Sequence, residues 1–251
     1  QTSFRLYSDV WFSSGDHTRD VGVHLYLPVV SKVIALEVWG VGWESYAMTS
    51  ALAAKRRVRH EQASGSASGD AYFATVVSLL RDRKFPDLAL RIALRTASGG
   101  KLCDARYTDA PGYFFDLSAG KNIPIGHKNE NYLRGFAMFG FYVWQMNPAL
   151  YRQDDAVLFG SGVDIHLDKS ILSMSMAGYW GYLGNSKLII INPLQPIPYY
   201  DRPVVWRMSY AHKWKKWKMT LRLQGGINDF MYTSVQCSMS YSLPNLFRTH
   251  N

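Results

Sequence analysis

Residues 156–184, AVLFGSGVDIHLDKSILSMSMAGYWGYLG, constrain the fold most, because two arms of alternating chemistry meet at a turn and check each other's register. On the first arm Val157, Phe159, Ser161, Val163, Ile165 and Leu167 alternate with Leu158, Gly160, Gly162, Asp164 and His166. A period of two places each set on its own face of a strand. Asp168-Lys169 reads as a two-residue hairpin turn, which pairs Leu167 with Ser170, Ile165 with Leu172, Asp164 with Ser173 and Gly162 with Ser175. The faces then agree across the turn. Leu172, Met174, Met176 and Trp180 join the apolar side, and Ser173, Ser175, Ala177 and Tyr179 the small and polar one. Arms this long, oily on one side only, predict a membrane β-barrel.

Bulk hydropathy does not oppose that reading. The 251 residues are 47% hydrophobic with a mean hydropathy of −0.15, but in a barrel the polar lumen cancels the oily exterior in any average. No apolar run approaches the roughly 18 residues of a spanning helix; the oiliest, residues 188–191, meets Asn192-Pro193 at once. An aromatic content of 14% suits interfacial girdles. Cys103 and Cys237 form neither a metal spacing nor a disulfide framework, so no cofactor or metal is expected, although calcium in a loop stays open. The chain starts at Gln1 and enters strand pattern almost immediately, as after removal of a signal peptide. The net charge of +9 is densest at Lys55, Arg56, Arg57 and Arg59. Without stacking aromatics among them, nucleic acid is an unsuitable partner. Phosphates of outer-membrane lipid, lipopolysaccharide included, fit better.

Alternation recurs along the chain. Strands are expected at residues 4–12, 20–27, 33–39, 71–80, 87–95, 113–121, 132–146, 157–167, 170–180, 204–212, 218–226 and 231–241, with a weaker one within 42–60. SSGDHTR, SGSASG and residues 97–111, 147–155 and 185–203 read as loops. Bacterial single-chain barrels have even strand numbers, so this tally of thirteen holds one false strand, placed between Val33 and His60; twelve are expected. Short turns at 168–169 and 213–217 then fall on the periplasmic side and long loops outside. Lys213, Trp214, Lys215, Lys216 and Trp217 make one of those turns, a composition expected at lipid headgroups.

A soluble barrel shows the same alternation, so the polar face must decide. Here it holds Gly, Ala, Ser and Tyr with isolated charges, which suits a confined interior, and the apolar face is nearly free of charge at each strand centre. The expected architecture is all-β: one transmembrane antiparallel up-and-down barrel of about twelve strands, spanning residues 1–251. From Phe4 to Leu243 the pattern resembles bacterial outer-membrane β-barrel proteins, and strand and turn composition looks most like those of the Bacteroidetes type. PDLALRIALRTASGG, residues 86–100, looks like a strand-plus-loop phrase common in such barrels; the ending SLPNLFRTHN departs from their usual terminal aromatic signal. The resemblance implies an outer-membrane location in a Gram-negative cell.

By parity the lumen holds Asp9, Asp20, Glu37, Asp87, Asp116 and Asp164 against Arg5, Arg91, Arg95, Arg134, Arg207, Lys218 and Arg222. Near balance suggests ion-pair ladders that fill and brace a small lumen, densest at Asp87, Arg91, Arg95, Asp116 and Arg134. The same network could instead be a constriction that selects solutes. Ser173 opposite Asp164, with His166 nearby, is the best nucleophile, base and orienting constellation, but His166 reaches Ser173 only diagonally. Three functions stay open. The foremost is an accessory subunit that meets another outer-membrane protein through small outward residues Gly135, Ala137, Ser161 and Gly178. The alternatives are a narrow porin-like solute channel and a lipid-modifying hydrolase.

Overall fold

The computed structural model describes residues 1–30, 33–52, 64–81, 84–100, 111–126, 131–144, 155–181, 202–230 and 232–244. Its strands are β1 (Thr2–Ser13), β2 (Asp16–Val30), β3 (Ile34–Met48), β4 (Ser64–Ala67), β5 (Ala71–Leu80), β6 (Asp87–Arg95), β7 (Gly112–Pro124), β8 (Tyr132–Trp144), β9 (Ala156–Leu167), β10 (Ser170–Gly181), β11 (Val204–Trp214), β12 (Trp217–Asn228) and β13 (Thr233–Leu243). Each long strand pairs antiparallel with its sequence neighbours, and β1 pairs with β13 from Thr2↔Leu243 to Phe12↔Thr233. That last ladder closes the sheet into a barrel and leaves no long edge exposed.

Thirteen segments make twelve staves. β4 and β5 lie on the same edge of β3 in one continuous register, Glu44↔Ala67 above and Gly40↔Ala71 below, interrupted at residues 68–70. SGSASG, read as a loop, therefore supplies the upper end of a stave: a ladder needs backbone amides, and small side chains hide it from any test of polarity. The two strands expected between Val33 and His60 are one strand over their described part, β3. Gly42 is an extra residue opposite the Val21/Gly22 step of β2, a β-bulge. Ala35 and Val41 are buried before it, and Glu44, Tyr46 and Met48 after it, so the inward row passes from odd to even numbers. A parity break of that kind looks like a strand boundary in sequence. The hairpin β9–β10 has the register expected of it, with Asp164 opposite Ser173 and Asp168 taking a left-handed φ of 43° in the turn.

Burial is inverted relative to a soluble domain. The largest fully buried side chains are Glu44, Thr2, Thr18, Asp9, Asp16, Asp20, Asp70 and Ser234, all polar. Phe139, Met174, Met219 and Leu172 point outward and are exposed. Among the described residues, Arg19 and Lys121 are the only Lys, Arg, Asp or Glu in the outward rows of the long strands, near opposite ends. Exposed aromatics collect toward the two ends of the wall, Phe12, Trp43, Tyr113 and Trp180 at one and Tyr210, Trp214 and Trp217 at the other. Such a surface suits a hydrocarbon layer between two girdles.

An even number of staves puts the start of β1 and the end of β13 at one rim. That rim also has the connections 31–33, 81–86, 125–131, 168–169 and 215–216, whereas 14–15, 49–63, 96–111, 145–155, 182–203 and 229–232 belong to the opposite rim, which has the long loops.

Candidate functional site

Inward rows of twelve staves converge on the lumen, and the side chains there decide what it can do. It is not solid. A cavity of about 690 Å³ lies toward the long-loop rim, between Trp11, Tyr179 and Phe230 above and Arg5 and His24 below. A second of about 510 Å³ lies toward the short-turn rim, among Asp87, Arg134 and Asp164. Arg91, Met138, Ala177 and Arg207 line both, so the two cavities are neighbours across these residues.

One wall of the outer cavity is aromatic. His24 on β2 stands edge-on to Trp39 on β3 (centroids 6.2 Å apart), Trp39 stacks on Tyr72 of β5 (5.0 Å), and Tyr72 leans on Phe114 of β7 (6.2 Å). Phe114 in turn stacks on Tyr142 of β8 at 3.8 Å, with the Arg95 guanidinium 5.7 Å from the Tyr142 ring centre. Arg207 on β11 and Arg222 on β12 make the opposite wall basic, and Arg5 on β1 adjoins the arc as the cross-strand neighbour of His24.

Arg91 Nε donates to Asp116 Oδ2 at 2.7 Å across the β6–β7 ladder. Arg134 Nη1 reaches Asp87 Oδ2 at 3.3 Å and Asn122 Oδ1 at 2.7 Å. Its guanidinium lies over Gly120, where an added Cβ would stand 2.5 Å from Nη2, so the missing side chain opens that route. Arg222 lies 3.8 Å from Asp9, whose other oxygen accepts from Gln236 Nε2 at 2.6 Å; Arg207 Nε donates to Gln224 Oε1, also at 2.6 Å. Arg95 is apart from the Asp87–Arg134 pair, buried near Tyr142. In two of the pairs the acid withdraws: the Arg91 and Arg222 side chains are 37% and 29% exposed, their partners Asp116 and Asp9 only 4% and 2%, whereas Asp87 is 42% exposed against 30% for Arg134.

Parity missed three buried carboxylates, Asp16, Glu44 and Asp70. Asp16 accepts from Thr18 Oγ1 at 2.6 Å, within a segment read as loop because its turn is only residues 14–15. Glu44 follows the Gly42 bulge, and Asp70 takes the amide of Gly99 at 2.7 Å at the β4–β5 interruption. In both places alternation fails, so the signal would have been the turn and bulge glycines themselves.

Asp164 and Ser173 are cross-strand partners and His166 pairs with Ile171. The His166 ring stacks on Tyr132 at 4.1 Å, and no hydrogen bond joins the three among the described residues. At the short-turn rim Trp214 and Trp217 flank the Lys215-Lys216 turn, with Trp217 4.6 Å from Tyr241, while Lys213 pairs with Lys218 on the lumen-side row. Lys55, Arg56, Arg57, Arg59 and Cys103 lie outside the described residues. Cys237 is a free thiol on the outward row of β13.

Neither a family model nor a curated protein matches the chain. Solved structures do. An outer membrane channel from Pseudomonas putida F1 is 11% identical over 96% of this chain and 94% of its own, with a TM-score of 0.69. The NanC porin is 8% identical over 96% of this chain and 100% of its own (TM-score 0.58), and the KdgM porin 9% identical over 96% and 99% (TM-score 0.56). At such identities the likeness concerns fold. The twelve-stave closed barrel of this chain is the fold of bacterial outer-membrane β-barrel proteins.

Proposed function

We propose that the chain is a narrow, passive solute channel of the bacterial outer membrane, with its short turns on the periplasmic side. The observation that supports it is the hollow lumen: two neighbouring cavities of about 690 and 510 Å³ that share Arg91, Met138, Ala177 and Arg207 in their linings. A barrel built only as a scaffold would fill that space with side chains, as small barrels do. The ion-paired arginines then set the bore, and Trp214, Trp217, Lys215 and Lys216 hold the short-turn rim among lipid headgroups. Swelling of proteoliposomes in isotonic solutes of graded size tests the reading. Swelling with small solutes and none with large ones is expected; impermeability to every solute contradicts it.

One observation favours the accessory-subunit reading as a second. On the outward wall Ala137 pairs with Ser161 beside Gly135, where an added Cβ would meet nothing within 4 Å. Flat patches of small residues permit close packing of another membrane protein. Co-purification of a partner in mild detergent, abolished by Gly135→Trp, would support it; a chain that runs alone counts against it. Gly178 has a local explanation, since an added Cβ there would stand 3.0 Å from the Phe159 ring.

A further inference from the structure

Counting charges makes the lumen nearly neutral; their placement does not. The outer cavity is lined by Arg5, Arg91, Arg207 and Arg222, and its carboxylates are Asp9, 1% exposed, and Asp229 on the β12–β13 connection. The short Asp9 side chain stays against the wall and accepts from Gln236 there, whereas the guanidiniums, on longer stems, line the space. Arg5 makes no hydrogen bond or contact ion pair among the described residues; Glu37, 3.9 Å from His24, acts on it only electrostatically, and Asp9 serves Gln236 and Arg222. The arc of His24, Trp39, Tyr72 and Phe114 faces Arg207 and Arg222 and adjoins Arg5, opposite His24 on the neighbouring strand, and Arg91, on the strand between those of Tyr72 and Phe114. A ligand that satisfies both walls carries an anionic group for the arginines and a flat apolar body for the rings.

We infer that the outer cavity is a binding site for small aromatic carboxylates, and that the channel takes them up in preference to inorganic ions or cations. The inference rests on the channel reading above. Arg5 supplies the uncommitted guanidinium, Arg222 and Arg207 add positive potential, and Trp39 and Tyr72 supply the ring surface. Field lines in a low-dielectric bore concentrate this potential on the solute path.

The test uses the purified full chain in planar bilayers with KCl, and three probes that separate charge from ring: benzoate, acetate and benzylammonium. In a KCl gradient the reversal potential is expected to show chloride preference. Benzoate is expected to halve the KCl current at a concentration about tenfold below acetate or benzylammonium, about one charge-assisted hydrogen bond plus ring contact. Arg5→Gln, which breaks no ion pair, raises the half-blocking concentration of benzoate about tenfold. Trp39→Leu raises that of benzoate but not that of acetate. Equal block by benzylammonium, equal block by acetate, or cation preference overturns the inference while the channel reading stands, since current still flows. Absence of any current from wild-type protein overturns both. The wild-type comparison of probes needs no variant, so misfolding of either substitution does not shelter the idea.

Discussion

Gly140 shows how tightly single positions are specified in this wall. A Cβ there would press on the Phe115 carbonyl oxygen and stand 2.8 Å from the Asp116 Cα, both backbone atoms of β7, so no side-chain motion relieves it. Gly140→Val is expected to destabilise the barrel by about 1–3 kcal/mol, the range for overpacking, read as a shift in urea unfolding in micelles. At Gly120 the obstacle is the flexible end of Arg134. Gly120→Ala displaces that guanidinium and weakens a half-exposed pair with Asp87, an effect of about 0–1 kcal/mol. If Gly120→Ala proves the more damaging, the account of both positions fails. Which charges face inward was legible from parity for Arg91, Asp116 and Arg134. Which of them reach the open lumen was not, because parity gives a side chain its face but not its length, burial or partner.

The strand is the scale at which the sequence spoke most clearly, and also where it misled. The β9–β10 hairpin could be registered residue by residue because its rows differ in chemistry and its turn has no slack. β3 could not, since the Gly42 bulge exchanges its rows, and β4 could not, since Ser64–Ala67 has no apolar side to count. Alternation sets up a paired test. Met174, 58% exposed, faces outward and its neighbour Ser175 lines the inner cavity. Met174→Arg places a charge against lipid and is expected to cost about 2–4 kcal/mol or to abolish the folded, heat-modifiable band in gel electrophoresis. Ser175→Arg is expected to fold and to lower conductance instead. Deletion of Gly42 removes the bulge and leaves Val41 and Glu44 two positions apart on one inward row, with Trp43 between them facing out; membrane assembly is expected to survive in pulse-chase insertion, and its loss would contradict the assigned parity.

At the scale of the whole molecule the physics is a solvent argument. Polar rows turn inward and apolar rows outward because both sets need their preferred surroundings, and closure through β1 and β13 satisfies the backbone that lipid cannot. Twelve staves leave more room than the inward side chains occupy, which is why the lumen keeps its cavities. The free thiol of Cys237 on β13 should react with membrane-soluble maleimides and resist charged ones in a Cys103→Ser background. The closed barrel and the outward turn of its apolar rows followed from pattern alone; the bore, the aromatic arc and the withdrawal of Asp9 and Asp116 arise from contacts between side chains on different strands, such as Asp9 with Gln236. The most direct measurement of the central claim is a nitroxide scan of residues 157–167 in reconstituted, cysteine-free protein, comparing collision with oxygen and with a water-soluble nickel complex. An aqueous lumen inside a lipid-facing wall requires oxygen contact at Val157, Phe159, Ser161, Val163 and Ile165, and nickel contact at Leu158, Gly160, Gly162 and Asp164. The same alternation with the odd positions shielded from both reagents would mean a soluble barrel with an oily core, and would contradict it.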